Sequence, residues 1–266
     1  MNESMRLEVL LATMHQVDDV VLKDMAVTTD VVVCNQNENN TDYRVYDRNG
    51  HRVHWYDFCE KGVGLNRNNA LLRATGDICI LADDDITYFP GYEEIILKAF
   101  RENPDADLIL FNIESLPGEY RYKVKKKQSV WLHNCGKYGA VRIAFRRMRV
   151  LKNSICFNQL FGGGSMFTAG EDTMFIRDCI RRGLKVIAVP DCILKLRDSR
   201  PSTWFEGYDQ KYFEDMGSSY YYHFRYLAIP CLVIQLLKRR KIILQGISFL
   251  QAFRYAVEGV RKYRLL

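Results

Sequence analysis

Proline is scarce in this chain, 6 among 266 residues, and no internal repeat or low-complexity linker interrupts it. Together with 48% hydrophobic and 26% charged residues, that excludes a fibre or a disordered chain. No apolar run is long enough to span a bilayer. The longest, LAIPCLVIQLL from Leu227 to Leu237, falls short of the roughly 20 residues a spanning helix needs. The eight cysteines form no CxxC pair, and Cys79 and Cys156 stand inside apolar runs, where cysteine behaves as a small core residue. The start, MNESMRLEVLLATMHQ, has acids where a signal peptide is basic, and no small-residue cleavage site. The expectation is a reducing, cytoplasmic setting. His51, His54, His133 and His223 show no ligand spacing.

What is present is an alternation. Leu7–Ala12, Asp30–Asn35, Arg52–Tyr56, Ile78–Ala82 and Leu108–Asn112 read as strands, short and apolar or β-branched. Helical spacing falls between them, over Asp18–Met25, Gly64–Ala74 and Gly91–Asn103, with Gly76 and Pro104 as stop signals. Such order predicts an α/β fold, a Rossmann-like, mostly parallel sheet with helices on both faces. From Pro117 to Lys152 the pattern turns irregular. A glycine-rich loop, NQLFGGGSMFTAGED, then leads into a helix over Thr173–Arg182, and a strand over Leu184–Val189 is closed by Pro190.

The stretch ICILADDDITYF puts Asp83, Asp84 and Asp85 at the end of a buried strand. Adjacent carboxylates repel, and burying charge is costly without a partner. One reading is an exposed turn that caps the next segment of chain. The other places the acids in the crevice beyond the strand ends, where oxygen-rich clusters take Mg²⁺ or Mn²⁺ together with substrate phosphates. Upstream, KGVGLNRNNALLRATGD brings Gly62 and Gly64 to a helix start, with Lys61 and Arg67 adding positive charge. A GxG before a helix is also simply a tight turn.

These pieces resemble family 2 glycosyltransferases of the GT-A fold. The matching features are the Arg67-Asn68 pair, the turn Ala74-Thr75-Gly76-Asp77, the DXD-type triplet Asp83-Asp84-Asp85, and Gly170-Glu171-Asp172 at the start of a helix. Ala12-Thr13-Met14-His15 resembles the loop that cradles the nucleotide base. The resemblance covers roughly residues 7 to 195. It implies an inverting, divalent-metal-assisted transfer from a nucleotide-sugar, UDP-linked, to a hydroxyl of a lipid-linked or surface-polysaccharide acceptor. Asp172 would be the base and Glu171 would orient the acceptor. Asp83 and Asp85 would anchor Mn²⁺ or Mg²⁺, and Asp84 would face the sugar or ribose. Thr13, His15, Asn35, Gly62, Gly64 and Arg67 would complete the donor site. Simple helix capping is the other reading of Glu171-Asp172.

The sequence departs from the family at three places. Asn35-Gln36 stands where relatives carry an acid pair, Ala82 where they often have another acid, and DCILKLRDSRPSTW lacks their histidine. A catalytically inactive relative acting as a carbohydrate-binding scaffold is therefore one alternative, against which both acidic sites are retained; a sugar nucleotidyltransferase, which could share the α/β sheet and the acidic cluster, is the other. Against the latter, LLATMHQ carries no glycine-rich signature at the first strand's end. Trp204, with Phe205, Tyr208 and Tyr212, forms an aromatic cluster suited to stacking an acceptor sugar or to ordinary packing. Lys123–Gln128 (KVKKKQ) is a solvated loop or an attractor of anionic lipid-diphosphate.

From Arg225 onward nine Lys/Arg face one acid, Glu258, so the rest of the chain is slightly acidic. Apolar stretches alternate there with basic clusters, which fits either a helix packed on the main domain or a peripheral contact with the cytoplasmic face of a membrane. The expected division is a nucleotide-sugar half over 1–115, an acceptor half over 116–224 and a basic amphipathic helical tail over 225–266. No nucleic-acid partner is expected.

Overall fold

The computed structural model describes residues 5–38, 41–116, 121–197, 207–243 and 246–266. The chain forms two compact units, Met1–Gln159 with Glu171–Ser199, and Leu160–Gly170 with Arg200–Leu266.

The first unit follows the alternation in the sequence: β1 (Leu7–Met14), α1 (Val20–Asp24), β2 (Asp30–Gln36), β3 (Asp42–Arg48), β4 (His51–Phe58), α2 (Val63–Arg73), β5 (Ile78–Asp83), β6 (Ile86–Tyr88), α3 (Tyr92–Glu102), β7 (Leu108–Glu114), β8 (Gln128–Ser129), β9 (Ile143–Arg146), α4 (Arg147–Lys152), α5 (Glu171–Arg181) and β10 (Val186–Leu196). Among the described residues these strands form one sheet in the order β3-β4-β2-β1-β5-β9-β7-β10-β6, with β8 added on β10. The run β4-β2-β1-β5 and the pair β7-β10 are parallel. Strand β9 lies antiparallel between β5 and β7.

The period of two explains the layers. On β1, Val9 and Leu11 point to one face and Leu10 to the other; on β2, Val31 and Val33 oppose Val32 and Cys34. The first face is covered by Val21 and Leu22 of α1 and by Ile96 and Phe100 of α3. The second is covered by Ala70 and Leu71 of α2, Val150 of α4 and Phe175 of α5. Each fully buried Val, Leu or Phe stabilises by about 1.5–3 kcal/mol, so both faces are strongly specified. Strands β1, β2, β5 and β7 fall close to where the apolar runs predict them.

Other elements differ from expectation for physical reasons. β10 does not stop at Pro190 but runs on to Leu196, with a register shift between Ala188 and Cys192 that accommodates the missing N–H. The Pro190 carbonyl accepts a 2.9 Å bond from the Asn112 amide. The turn Ala74–Asp77 lies at the start of β5, where the Glu8 carboxylate accepts the Thr75 and Gly76 amides at 2.6 and 2.7 Å. The turn is thereby tied to β1.

In the second unit, Asp209 caps α6 (Gln210–Phe224) by accepting the Tyr212 amide at 2.8 Å, and Ser248 caps α8 (Phe249–Arg264) by accepting the Gln251 amide at 3.2 Å. Helix α7 (Ala228–Ile243) lies between them in sequence. α6 and α8 cross closely at two glycines. A Cβ on Gly217 would lie 1.8 Å from the Ala256 carbonyl oxygen, and one on Gly259 1.9 Å from that of Glu214. The loop 160–170 is tied to α6 by Asp215, which accepts the Thr168 amide at 2.9 Å and its hydroxyl at 2.5 Å. No helix among the described residues is long and apolar enough to cross a membrane.

Candidate active site

The carboxyl ends of four strands carry the polar residues. The parallel register sets Thr13 beside Asn35, Asn35 beside Asp57, and Ala12 beside Asp83. Asn35 is buried, and its amide nitrogen donates to Asp57 Oδ1 at 2.6 Å and to the Gln16 carbonyl at 2.9 Å, while its Oδ1 accepts the Gln16 amide at 3.0 Å. Trp55 Nε1 adds a 3.1 Å bond to the same Asp57 oxygen. Asp84 Oδ2 accepts the Thr13 hydroxyl at 2.6 Å and Gln16 Nε2 at 3.1 Å. His15, exposed and left-handed with φ 56°, donates its backbone amide to the Gln36 carbonyl at 2.9 Å.

Helix α2 starts at Gly62, whose φ of 112° suits glycine alone. Two residues on, a Cβ at Gly64 would lie 2.4 Å from the Asn158 carbonyl oxygen. Gly64 is thus a crossing point of two chain segments. The helix then directs three polar side chains inward. Asn66 Nδ2 donates to the Thr13 and Cys34 carbonyls at 3.2 and 3.0 Å, and Asn68 exchanges bonds with the Phe157 backbone at 2.9 and 2.7 Å.

Arg67 lies between them, almost fully buried. Its Nη2 is 2.8 Å from Asp83 Oδ1 and its Nη1 2.7 Å from Glu171 Oε1, partners 16 and 104 residues away in sequence. Alternation along β5 aims Asp83 at the face that α2 and α5 cover, which is why the three meet. Burial opposes the Arg67 charge, yet Asp83 and Glu171 together hold its pKa above the usual arginine value. Its charge is committed to carboxylates, and Arg67 Nε has no partner among the described residues.

Glu171 and Asp172 open α5 directly after Gly170. Asp172 Oδ1 accepts the Thr173 amide at 2.6 Å, and a Cβ on Gly139 would lie 3.8 Å from its Oδ2. Burial, then the neighbouring Glu171, pushes the Asp172 carboxyl up to about 7, against the opposing pull of Arg67. The turn Asp84-Asp85 is pinned by Arg197, the residue after β10, which donates its backbone amide to the Asp85 carbonyl at 2.8 Å and its guanidinium to the Asp84 carbonyl. Burial raises the Asp85 pKa, followed by repulsion from Asp83 and Asp84. No group of three His, Cys, Asp or Glu among the described residues converges as a metal cage. An all-oxygen pair, Asp85 with Asp83, fits Mg²⁺ or Mn²⁺ only when phosphate oxygens complete the shell.

The structure therefore brings Asp84, Thr13 and, through Gln16, Asn35 into one network, and Arg67, Asp83 and Glu171 into a second, with Asp172 next to Glu171 at the start of α5. Trp204 lies outside the described residues. Sequence reasoning missed Gln16, Asp57 and Arg197. Asp57 sits within HWYDF, which reads only as an aromatic strand.

The family model Glycosyl transferase family 2 matches residues 30–169. No curated protein matches the sequence. Among solved structures, S. aureus TarS 1-349 in complex with UDP-GlcNAc superposes with a TM-score of 0.67 at 15% identity, covering 97% of this chain and 80% of that one. A second structure of TarS 1-349 gives 0.61 at 14% identity, with 98% and 89% covered, and its complex with UDP 0.58 at 16%, with 90% and 73% covered. At these identities the likeness is one of fold.

Proposed function

The chain belongs to glycosyl transferase family 2 and is a glycosyltransferase, and from that premise we propose that it moves a sugar from a UDP-sugar to a saccharide hydroxyl, with inversion at the anomeric carbon. The observation that carries the reading is the Arg67 bridge. One guanidinium holds the end of β5 and the start of α5 together, so the acids assigned to donor and acceptor lie on either side of a single side chain. Uridine is supported by the UDP-GlcNAc and UDP complexes of the S. aureus neighbours.

In this reading the acceptor oxygen forms the new bond to the anomeric carbon while its proton passes to Asp172. The bond from that carbon to the diphosphate oxygen breaks, and its electron pair leaves with the nucleotide. A carboxyl raised to about 7 is a stronger base than an ordinary aspartate. Glu171, fixed by Arg67, orients the acceptor. Thr13, His15, Asn35 and Asp84 face the base and ribose, and the Gly62–Gly64 helix start faces the diphosphate. Asp85 and Asp83 would hold Mg²⁺ or Mn²⁺ with the diphosphate oxygens, and the bound ion would offset the charge on the departing nucleotide. The acceptor we take to be a saccharide carried on a lipid.

The test is nucleotide release from a panel of nucleotide-sugars with Mn²⁺, wild type beside Asp172→Asn, with lipid-linked and free saccharides offered in turn. Release from a UDP-sugar that Asp172→Asn abolishes is expected. Nucleotide binding by calorimetry without any turnover would instead make the chain an inactive carbohydrate-binding relative. No binding and no turnover would end the reading.

A further inference from the structure

Helix α7 has two apolar stripes, and only one is covered. Ala228, Leu232, Leu236 and Ile243 are buried within the helical unit. On the opposite side Ile234 and Leu237 are exposed, each at 51%, and in the 3-10 turn leading into the helix, Arg225–Leu227, Leu227 is exposed and Tyr226 wholly so. Isolated surface apolar residues are ordinary, but Ile234 and Leu237 stand one helical turn apart on one side. The stripe runs directly into Lys238, Arg239 and Arg240, all exposed. Among the described residues, the α6 and α8 acids Glu214, Asp215 and Glu258 are ion-paired with Lys262, Lys211 and Arg254.

We infer that this side of α7 docks on an anionic lipid surface, with the helix lying in the plane of the interface. Its 16 residues span about 24 Å, less than the roughly 30 Å of a hydrocarbon core, so it lies on the bilayer and does not cross it. Tyr226, Leu227, Ile234 and Leu237 enter the headgroup boundary, and Lys238, Arg239 and Arg240 meet lipid phosphates. Charge decides the occupant: a second copy of α7 would bring the same basic run, and the tail has no acidic patch to receive it.

The experiment is sedimentation of the full chain with vesicles of phosphatidylcholine alone or mixed with phosphatidylglycerol. Wild type is expected to pellet with the mixed vesicles and to stay in solution with the neutral ones. Lys238→Glu with Arg239→Glu lowers the partition coefficient at least about tenfold. Ile234→Ser with Leu237→Ser lowers it several-fold at unchanged charge, while the circular-dichroism melt of each variant stays that of the wild type. A bound fraction unmoved by the serine pair overturns the inference, because a purely electrostatic attachment needs no stripe. So does equal pelleting on neutral vesicles, or a lipid-free dimer that the serine pair dissolves. Since pelleting is read without turnover, its failure leaves the transferase reading untouched.

Discussion

Asp83 and Glu171 are ion-paired to the same guanidinium, 2.8 and 2.7 Å from the two terminal nitrogens of Arg67. Two acid motifs far apart in sequence are thereby held at one point. Remove Arg67, and two carboxylates face each other across a buried gap. Arg67→Met should cost about 3 kcal/mol at pH 7, the usual penalty for breaking a buried pair from one side. The loss should shrink toward pH 5, where protonation relieves the repulsion. Urea unfolding at both pH values measures it, and equal losses at both would exclude the electrostatic cause. Activity should fall more than about a hundredfold, since both acid sites lose their anchor.

Asp172 makes a prediction in which activity and stability move in opposite directions. Its pKa of about 7 in the folded protein lies above the ordinary aspartate value. A base must be ionised to act, so kcat/KM should rise with pH and level off above about 7. Folding favours the protonated form. The stabilising contribution is therefore present below about pH 4 and is lost as the pH climbs through about 7. Asp172→Asn should abolish turnover, by about 10²-fold or more, and yet be more stable than wild type at pH 8. A variant that is inactive and less stable at pH 8 would argue against a strained base.

Much of this was legible in the sequence, and the misses share a cause. Parallel strands buried on both faces read as unbroken apolar runs, so β1, β2, β5 and β7 stand out. Strand β3, DYRVYDR, sits at a sheet edge where alternation is mostly polar, and β9 offers only IAFR among basic residues. Pro190 reads as a stop because sequence shows the missing N–H and not the register shift that absorbs it. Arg67 reads as a cation for phosphate. Which anion it meets is decided by strand alternation and a helix 104 residues away, and neither is local information.

Asn35 illustrates the same limit and yields a third prediction. Asn35 donates at 2.6 Å to Asp57 on the neighbouring strand, so the negative charge at this end of the sheet sits on β4. Asn35→Asp would set two carboxylates in contact and remove a buried donor. A stability loss of about 1–3 kcal/mol is expected at pH 8, smaller at pH 5, with weaker UDP binding by calorimetry at the higher pH. Unchanged affinity at both pH values would show that the nucleotide does not use this end of β2.

The last prediction concerns the helical unit. Gly259 admits the Glu214 carbonyl where a Cβ would sit 1.9 Å away, so Gly259→Ala must push α6 and α8 apart. Overpacking of that kind costs about 1–3 kcal/mol. The strain should stay local: amide exchange should quicken along Gln210–Phe224 and Phe249–Arg264 while Leu7–Met14, buried in the sheet, keeps its protection. Gln251→Ala, on the exposed side of α8, is the control and should leave exchange as it was. Faster exchange in β1 as well would mean that sheet and helices unfold as one cooperative body, and the glycine crossing would then be a determinant of the whole chain's stability.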